Sequence, residues 1–341
     1  MIKLKVGVIG LGIGEQHIYG FQSCGCDVVA LCDSDPAKRK MAADKFPECI
    51  IYDTAAELIE NTEIDVVSIA SFDQDHASQI VLAIRNGKHV FCEKPLCLKE
   101  HELDEIYIEL VRRPQLRLST NTVLRMSERF IEVKREITKG RLGQLYHVEA
   151  DYNYGRLQKL MSGWRGDIKD YSVMLGGGIH MVDLLLWLLE SPIVEVQAIG
   201  NKLCSANSSF STPDLMIALL RFENGAIGKV AANFGCVYPH FHKVALYGTK
   251  GTFENDRSGG QFVTSRNPDE EPYRLTSLYP GAAKGDLIPS FVRAITGQGN
   301  SVVTEQDVFR AVSTCLAIDK SYRTKQTVQV KTYPNTLRKH A

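Results

Sequence analysis

LKVGVIGLGIGEQH, residues 4–17, sets the fold. Leu4 to Ile9 read as a strand, Gly10, Gly12 and Gly14 follow with Leu11 and Ile13 between them, and Glu15 onward reads as the opening of a helix. A dinucleotide fingerprint requires this strand–turn–helix context. Its glycines let the backbone approach a pyrophosphate, which sits on the amides and positive dipole of the helix N-terminus. A second strand, VVALC at 28–32, delivers Asp33 about twenty residues on, where a carboxylate takes the hydroxyls of an adenosine ribose. Counted strictly from Gly10, the third glycine of GxGxxG falls on Glu15. Either the helix packs less closely there, or the loop is one residue short and Gly14 takes the third role. The bland alternative, an ordinary tight loop, leaves Asp33 unexplained.

Strands and helices alternate as far as residue 122, with helices expected at Pro36–Phe46, Thr54–Asn61, Asp75–Asn86 and Lys99–Arg112. The matching strands are Ile50–Tyr52, Asp65–Ser71, His89–Cys92 and Leu116–Thr122. Repeated βα units imply a doubly wound parallel sheet, so residues 1–122 form a dinucleotide-binding Rossmann domain. A helix at Glu128–Lys139 then leads to strand-like runs at Leu145–Asn153, Val194–Gly200, Leu215–Phe222, Ala226–Ala232 and Lys243–Tyr247. Turn signals between them predict a large, mostly antiparallel open sheet, making 123–341 an α+β domain for substrate binding and oligomerisation. Asn255–Lys284, rich in Gly, Pro, Ser and charge, reads as loop. Helices at Asp286–Thr296 and Thr304–Tyr322 close the chain.

The 341 residues are 44% hydrophobic and 23% charged, an ordinary globular composition with room for two cores. Forty basic and forty acidic side chains leave no electrostatic footprint for nucleic acid or an anionic membrane. The N-terminus runs straight into a strand without signal-peptide features, and the longest apolar run is interrupted by His180 and Asp183; a cytoplasmic protein is expected. Nine scattered cysteines read as thiols rather than a disulfide frame. Cys24 and Cys26 lack a second pair, and His240 and His242, at strand spacing, lack a third ligand, so no metal is expected.

GKHVFCEKPL, residues 87–96, sets Lys94 between an acid and a proline as an apolar strand ends. Ligands of a parallel sheet bind outside the carboxyl ends of its strands, where Lys94 falls. The apolar helix starting near Gly178 carries His180 and Asp183 three apart on one face, costly unless they are paired or used. A core histidine satisfied by Asp183 is the bland alternative.

The segments GLGIGEQH, AIRNGKHVFCEKP, GGGIHMVDLLLWL and YGTKGT resemble the Gfo/Idh/MocA family across essentially the whole chain. The family's Gly-x-x-His maps onto Gly14 to His17 and favours the short-loop reading. The resemblance implies an NAD-dependent oxidoreductase moving hydride between nicotinamide and a secondary hydroxyl or ketone of a sugar, inositol or nucleotide sugar. It implies a homodimer or homotetramer built on the open sheet face. Two other classes stay in view: an NAD-using glycosidase without net redox, and a non-catalytic NAD-binding sensor. By the resemblance Lys94 and His180 are catalytic, with Asp183 as the nearest orienter of His180 and Asp167 and Asp170 as further candidates. His180 is expected to take the hydroxyl proton, with Lys94 sharing in proton transfer or polarising the reacting oxygen. Gly10, Gly12, Ile13, Gly14, Asp33, Ser71, His76, Glu93 and Lys94 make up the expected cofactor site. Asn121, Arg125, Tyr154, Arg156, Trp164 and Arg165 are the expected substrate contacts. The family commonly carries an aspartate four residues before the histidine; this chain has Gly176 there. Asp33 favours NAD over NADP, as like charge to a 2′-phosphate, with Ser34, Lys38 and Arg39 close enough to soften the preference.

Overall fold

The computed structural model describes residues 3–168 and 171–334. Of these, its first unit takes residues 3–123 and is rejoined by 283–309 and 333–334. Strand β1 (Lys5–Ile9) leads through helix α1 (Gly14–Ser23) to β2 (Asp27–Cys32), α2 (Pro36–Lys45), β3 (Ile50–Tyr52) and α3 (Ala55–Glu60). Then follow β4 (Val66–Ile69), α4 (His76–Arg85), β5 (His89–Cys92), α5 (Glu100–Val111) and β6 (Leu118–Thr120). All six strands are parallel in the order β3-β2-β1-β4-β5-β6, so the chain reverses direction between β1 and β4. The crevice outside the carboxyl ends at such a reversal is where nucleotides bind. Val6, Val8, Leu31, Val66, Val67, Val90 and Phe91 are fully buried, as near-continuous apolar strands are when helices cover both faces. Local signals hold the helices in place: Asp35 caps α2 on the Ala37 amide, and Thr54 with Glu57 forms a capping box on α3.

The second unit takes 124–282 and 310–332. It holds α6 (Glu128–Thr138), β7 (Leu145–Asn153), the short helices α7 (Gln158–Met161) and α8 (Trp164–Asp167), and α9 (Ile179–Leu189), which follows a π-helical turn at Met174–Gly178. Strands β8 (Ile193–Asn201), β9 (Leu215–Phe222), β10 (Ile227–Asn233), β11 (Phe241–Gly248), β12 (Thr252–Asp256), β13 (Gly259–Val263) and β14 (Tyr273–Leu275) follow. Helices α10 (Ile288–Ile295) and α11 (Glu305–Thr324) and strand β15 (Val328–Gln329) end the described chain. The nine-stranded sheet runs β14-β13-β12-β11-β7-β10-β9-β8-β15. Every pairing is antiparallel except β7 with β10. Helix α9 is apolar all round except at His180 and Asp183, and residues Ile179 to Leu186 are buried, as a helix apolar on every face must be.

Two expectations need correction. A single cut after residue 122 misses the return of 283–309 to the first unit. There the one-sided apolar face of α10 places Phe291 against Phe91, with ring centroids 5.6 Å apart, and Ser119 donates to the Val303 carbonyl at 2.9 Å. The stretch 255–284 is not all loop, because β13 and β14 continue the sheet edge within it. Phe253 and Phe262 are buried opposite one another on β12 and β13, and this pair holds an edge whose composition is otherwise loop-like.

Candidate active site

In the first unit the fingerprint loop divides its glycines by task. Gly10 has φ +86°, and a Cβ there would lie 2.3 Å from the Ala70 carbonyl oxygen, so neither the conformation nor the space admits a side chain. A Cβ on Gly12 would meet only Lys38 Nζ, at 4.0 Å, which leaves backbone open to a phosphate. Gly14 is the first residue of α1, and a Cβ on it would lie 3.0 Å from Val8 Cγ1. Gly14 therefore makes the close helix–strand contact of the third glycine, and the loop is the short form. Ile13 supplies no side-chain cap to α1, and although its carbonyl takes the Gln16 amide at 2.9 Å, the start of the helix still faces an anion with its positive end.

Asp33 accepts the Leu11 amide at 2.7 Å on one oxygen and the Asp35 amide at 2.9 Å on the other. A carboxylate has about four lone-pair sites, so two remain for ribose hydroxyls. Loop, helix terminus and carboxylate fit a dinucleotide. Lys38 Nζ stands 3.8 Å from Asp33, while Arg39 donates to the Asp33 carbonyl and pairs with Asp53 at 3.1 Å.

The carboxyl ends of β4, β5 and β6 gather the other expected residues of this half. Asn121 donates to Glu93 Oε1 at 2.6 Å and to the Lys284 carbonyl at 2.8 Å, and His17 Nε2 lies 3.4 Å from the same Glu93 oxygen. Burial opposes ionisation of Glu93, but His17, Lys284 and Lys94 outweigh it and hold the carboxyl well below the usual carboxylate range. Asn121, expected to meet substrate, is fully buried and positions Glu93. Half-buried Lys94 begins a cis Lys94–Pro95 peptide. The His76 ring is also fully buried, with Nδ1 2.7 Å from the Pro95 carbonyl and Nε2 3.2 Å from that of Ser71, so it braces the loop after Lys94. Ser71 itself donates to Gln79 at 2.7 Å. In the sequence His17 reads as the histidine of the fingerprint's Gly-x-x-His but not as a partner of Glu93, and Lys284 reads only as the end of a loop.

In the second unit the ends of β7 and β10 and the start of β11 surround His180. Its ring lies near-parallel to Tyr152, 6.0 Å away with 23° between planes, and Tyr152 stacks in turn on Tyr154 at 5.5 Å. His242 and His240 approach the Tyr152 ring at 5.4 and 5.1 Å, and His242 Nδ1 lies 2.6 Å from the Tyr279 hydroxyl. Burial first, then the Tyr154 and Tyr171 hydroxyls, push the Tyr152 phenol far above its usual range, so it stays protonated. The period of two in β7 puts Tyr152 on the face of Tyr154, a signal available in the sequence and not used. Among the described residues no three His, Cys, Asp or Glu side chains gather to hold a metal ion.

Arg125 and Asp183, expected at the substrate and beside His180, pair with each other. The Arg125 guanidinium donates to both Asp183 oxygens, at 2.9 and 2.7 Å, with the two side chains 2% and 1% exposed. Both Asp183 oxygens accept from Arg125. Arg156 lies over Tyr154 at 5.2 Å and Arg165 over Trp164 at 4.2 Å. Asp167 is exposed on α8, and Asp170 lies outside the described residues.

Family comparison agrees with this geometry. Residues 4–122 match the oxidoreductase family with an NAD-binding Rossmann fold, and residues 130–254 match the GFO/IDH/MocA C-terminal domain. The chain is 24% identical to myo-inositol 2-dehydrogenase of Thermotoga maritima over 96% of its own length and 99% of that protein's. Among solved structures, an oxidoreductase domain protein from Kribbella flavida superposes with a TM-score of 0.84 at 20% identity, covering 97% of this chain and 100% of that one. Scyllo-inositol dehydrogenase from Lactobacillus casei, solved with NAD(H) and scyllo-inositol, gives 0.79 at 20% identity over 96% and 99%.

Proposed function

Since the chain belongs to the Gfo/Idh/MocA family of NAD(P)-dependent oxidoreductases acting on CH–OH groups, we propose that it oxidises a secondary hydroxyl of a sugar, inositol or nucleotide sugar, or reduces the matching ketone. The observation that carries this reading is His180, a buried imidazole bedded on Tyr152 in a helix otherwise apolar but for Asp183. Backbone at Gly12 and the first turn of α1 would hold the pyrophosphate of NAD, Asp33 its adenosine ribose, and the bound cofactor would supply the hydride acceptor. His180 takes the proton of the reacting hydroxyl and returns it in the reverse direction. Lys94 donates to the reacting oxygen and stabilises the charge it gains as the proton leaves.

Incubation with NAD and a panel of inositols, aldoses and nucleotide sugars, followed at the NADH absorbance, tests the proposal. Accumulating NADH supports it. Released sugar without NADH would replace it by glycoside cleavage.

NAD(H) should bind at least about tenfold more tightly than NADP(H), one decade being about 1.4 kcal/mol. Asp33 would face the 2′-phosphate as like charge, and Arg39 is already engaged by a backbone carbonyl and Asp53. Fluorescence titration with both cofactors decides it, and tighter NADPH binding would reverse the assignment.

The chain should also assemble. Ile199, Leu219 and Ile227, on neighbouring β8, β9 and β10, are 70%, 57% and 56% exposed on the sheet face away from α9, and an apolar sheet face in water calls for a partner. A dimer or tetramer is expected by light scattering at micromolar concentration; a 38 kDa species would remove the claim. Nine free thiols suit a reducing cytoplasm; among the described residues no helix is long and apolar enough to cross a membrane.

A further inference from the structure

Asp319 is a buried carboxylate with no part in the chemistry proposed above. It lies on α11, 6% exposed, and accepts the Ser172 hydroxyl at 2.8 Å. Both residues belong to the second unit. Burial raises the Asp319 carboxyl to about 6, against the pull of the Ser172 hydroxyl and of Arg323 one turn on. One turn back, burial holds the Cys315 thiol well above its usual range, and the charges of Asp319 and of Asp183 on α9 add to the effect. Burying a carboxylate is costly, and a perturbed one marks a candidate for function as well as for packing.

Ser172 connects that carboxylate to the start of α9. Its hydroxyl accepts the Leu175 amide at 3.0 Å, three residues on, in the manner of a helix N-cap. Its carbonyl accepts the Gly176 amide at 2.8 Å. Leu175 and Gly176 lie in the π-helical turn Met174–Gly178, which runs straight into α9, and His180 is the second residue of that helix. Such turns are rare and recur at functional sites. A hydroxyl carries one proton and two lone pairs, so committing the proton to a carboxylate turns a lone pair toward the amide. The bond to a charged acceptor is also about twice as strong as a neutral one.

We infer that Asp319, acting through Ser172, is a positioning residue for His180: the carboxylate fixes the Ser172 hydroxyl, and Ser172 fixes the turn from which the His180 helix starts. The inference rests on the acid/base role proposed for His180. It requires no contact of Asp319 with substrate or cofactor.

The test needs no substrate. NAD-loaded protein labelled with nitrogen-15 at leucine and histidine is followed by NMR, with the Leu175 and His180 resonances assigned from their loss in Leu175→Met and His180→Gln. Ser172→Ala and Asp319→Leu should each speed exchange of the Leu175 amide roughly five- to tenfold, the size expected of a lost helix N-cap. Both should also displace the His180 ring resonances at constant pH. Ser172→Thr, which keeps the hydroxyl, and Asp319→Asn, which keeps an acceptor, should stay close to the parent in both readouts. Ser172→Ala combined with Asp319→Leu should be no worse than either alone, since the two residues act in series. Lower melting temperatures in Ser172→Ala and Asp319→Leu with the His180 resonances unmoved would reduce the pair to a structural contact and overturn the inference. Ser172→Ala, which removes one hydroxyl from a half-buried residue, carries the test should Asp319→Leu fail to fold. Failure of the underlying reading is separate: full activity in His180→Ala would remove the acid/base role whatever the resonances do.

Discussion

His180→Ala is expected to lower kcat by roughly a hundred- to ten-thousand-fold, the range typical of a lost general acid or base. In barrier height this is about 2.7–5.5 kcal/mol. Cofactor affinity should stay nearly intact, because Gly10, Gly12, Gly14 and Asp33 belong to the first unit and His180 to the second. Lys94→Ala should lower kcat at least as much, given the role proposed for Lys94 in stabilising charge at the reacting oxygen. Single-turnover oxidation in both variants, with NAD affinity measured alongside, separates chemistry from binding. If His180→Ala turned over at the parent rate, the proton acceptor would have to be another group, and Tyr152, with its strongly raised phenol pKa, could not serve at neutral pH. The variant should also lose the pH dependence of kcat that the imidazole imposes.

The parts legible in the sequence are those fixed by neighbours along the chain. The fingerprint, Asp33 and the strand before Lys94 are local patterns, and period and turn chemistry placed most elements close to where they lie. The choice between Gly14 and a loosely packed helix was not local; it is decided by the 3.0 Å approach to Val8. The return of 283–309 to the first unit was invisible because an amphipathic helix does not say which core it covers. The pairing of Arg125 with Asp183 joins residues 58 apart, beyond any spacing rule, so each was assigned to a substrate or to a nearer partner. Gly176 could be noticed as a missing carboxylate, but only coordinates reveal that a side chain there would meet the Tyr171 hydroxyl.

Asp183→Asn is expected to destabilise the second unit by about 3–5 kcal/mol, because the Arg125 guanidinium would remain buried without its counter-charge. In a unit of this size that corresponds to a fall in melting temperature on the order of ten degrees. The pair is bidentate and almost wholly buried, and Arg125 also lies 6.0 Å from the Trp187 ring, so water cannot replace the lost carboxylate without opening the helix packing. Replacing both partners with apolar side chains, Arg125→Met with Asp183→Leu, should recover much of the loss, since a buried ion pair often contributes little beyond a well-packed apolar pair. The double-mutant cycle, read by thermal unfolding, should therefore show strong coupling. Activity adds a second discrimination. If the pair only holds α9 in place, the stable double variant should retain most of its kcat; if the Asp183 charge also sets the proton affinity of His180, kcat should stay low after stability returns. A single Asp183→Asn variant that melted like the parent would show that Arg125 finds another anion in the folded state, and the pair would lose the structural role assigned to it.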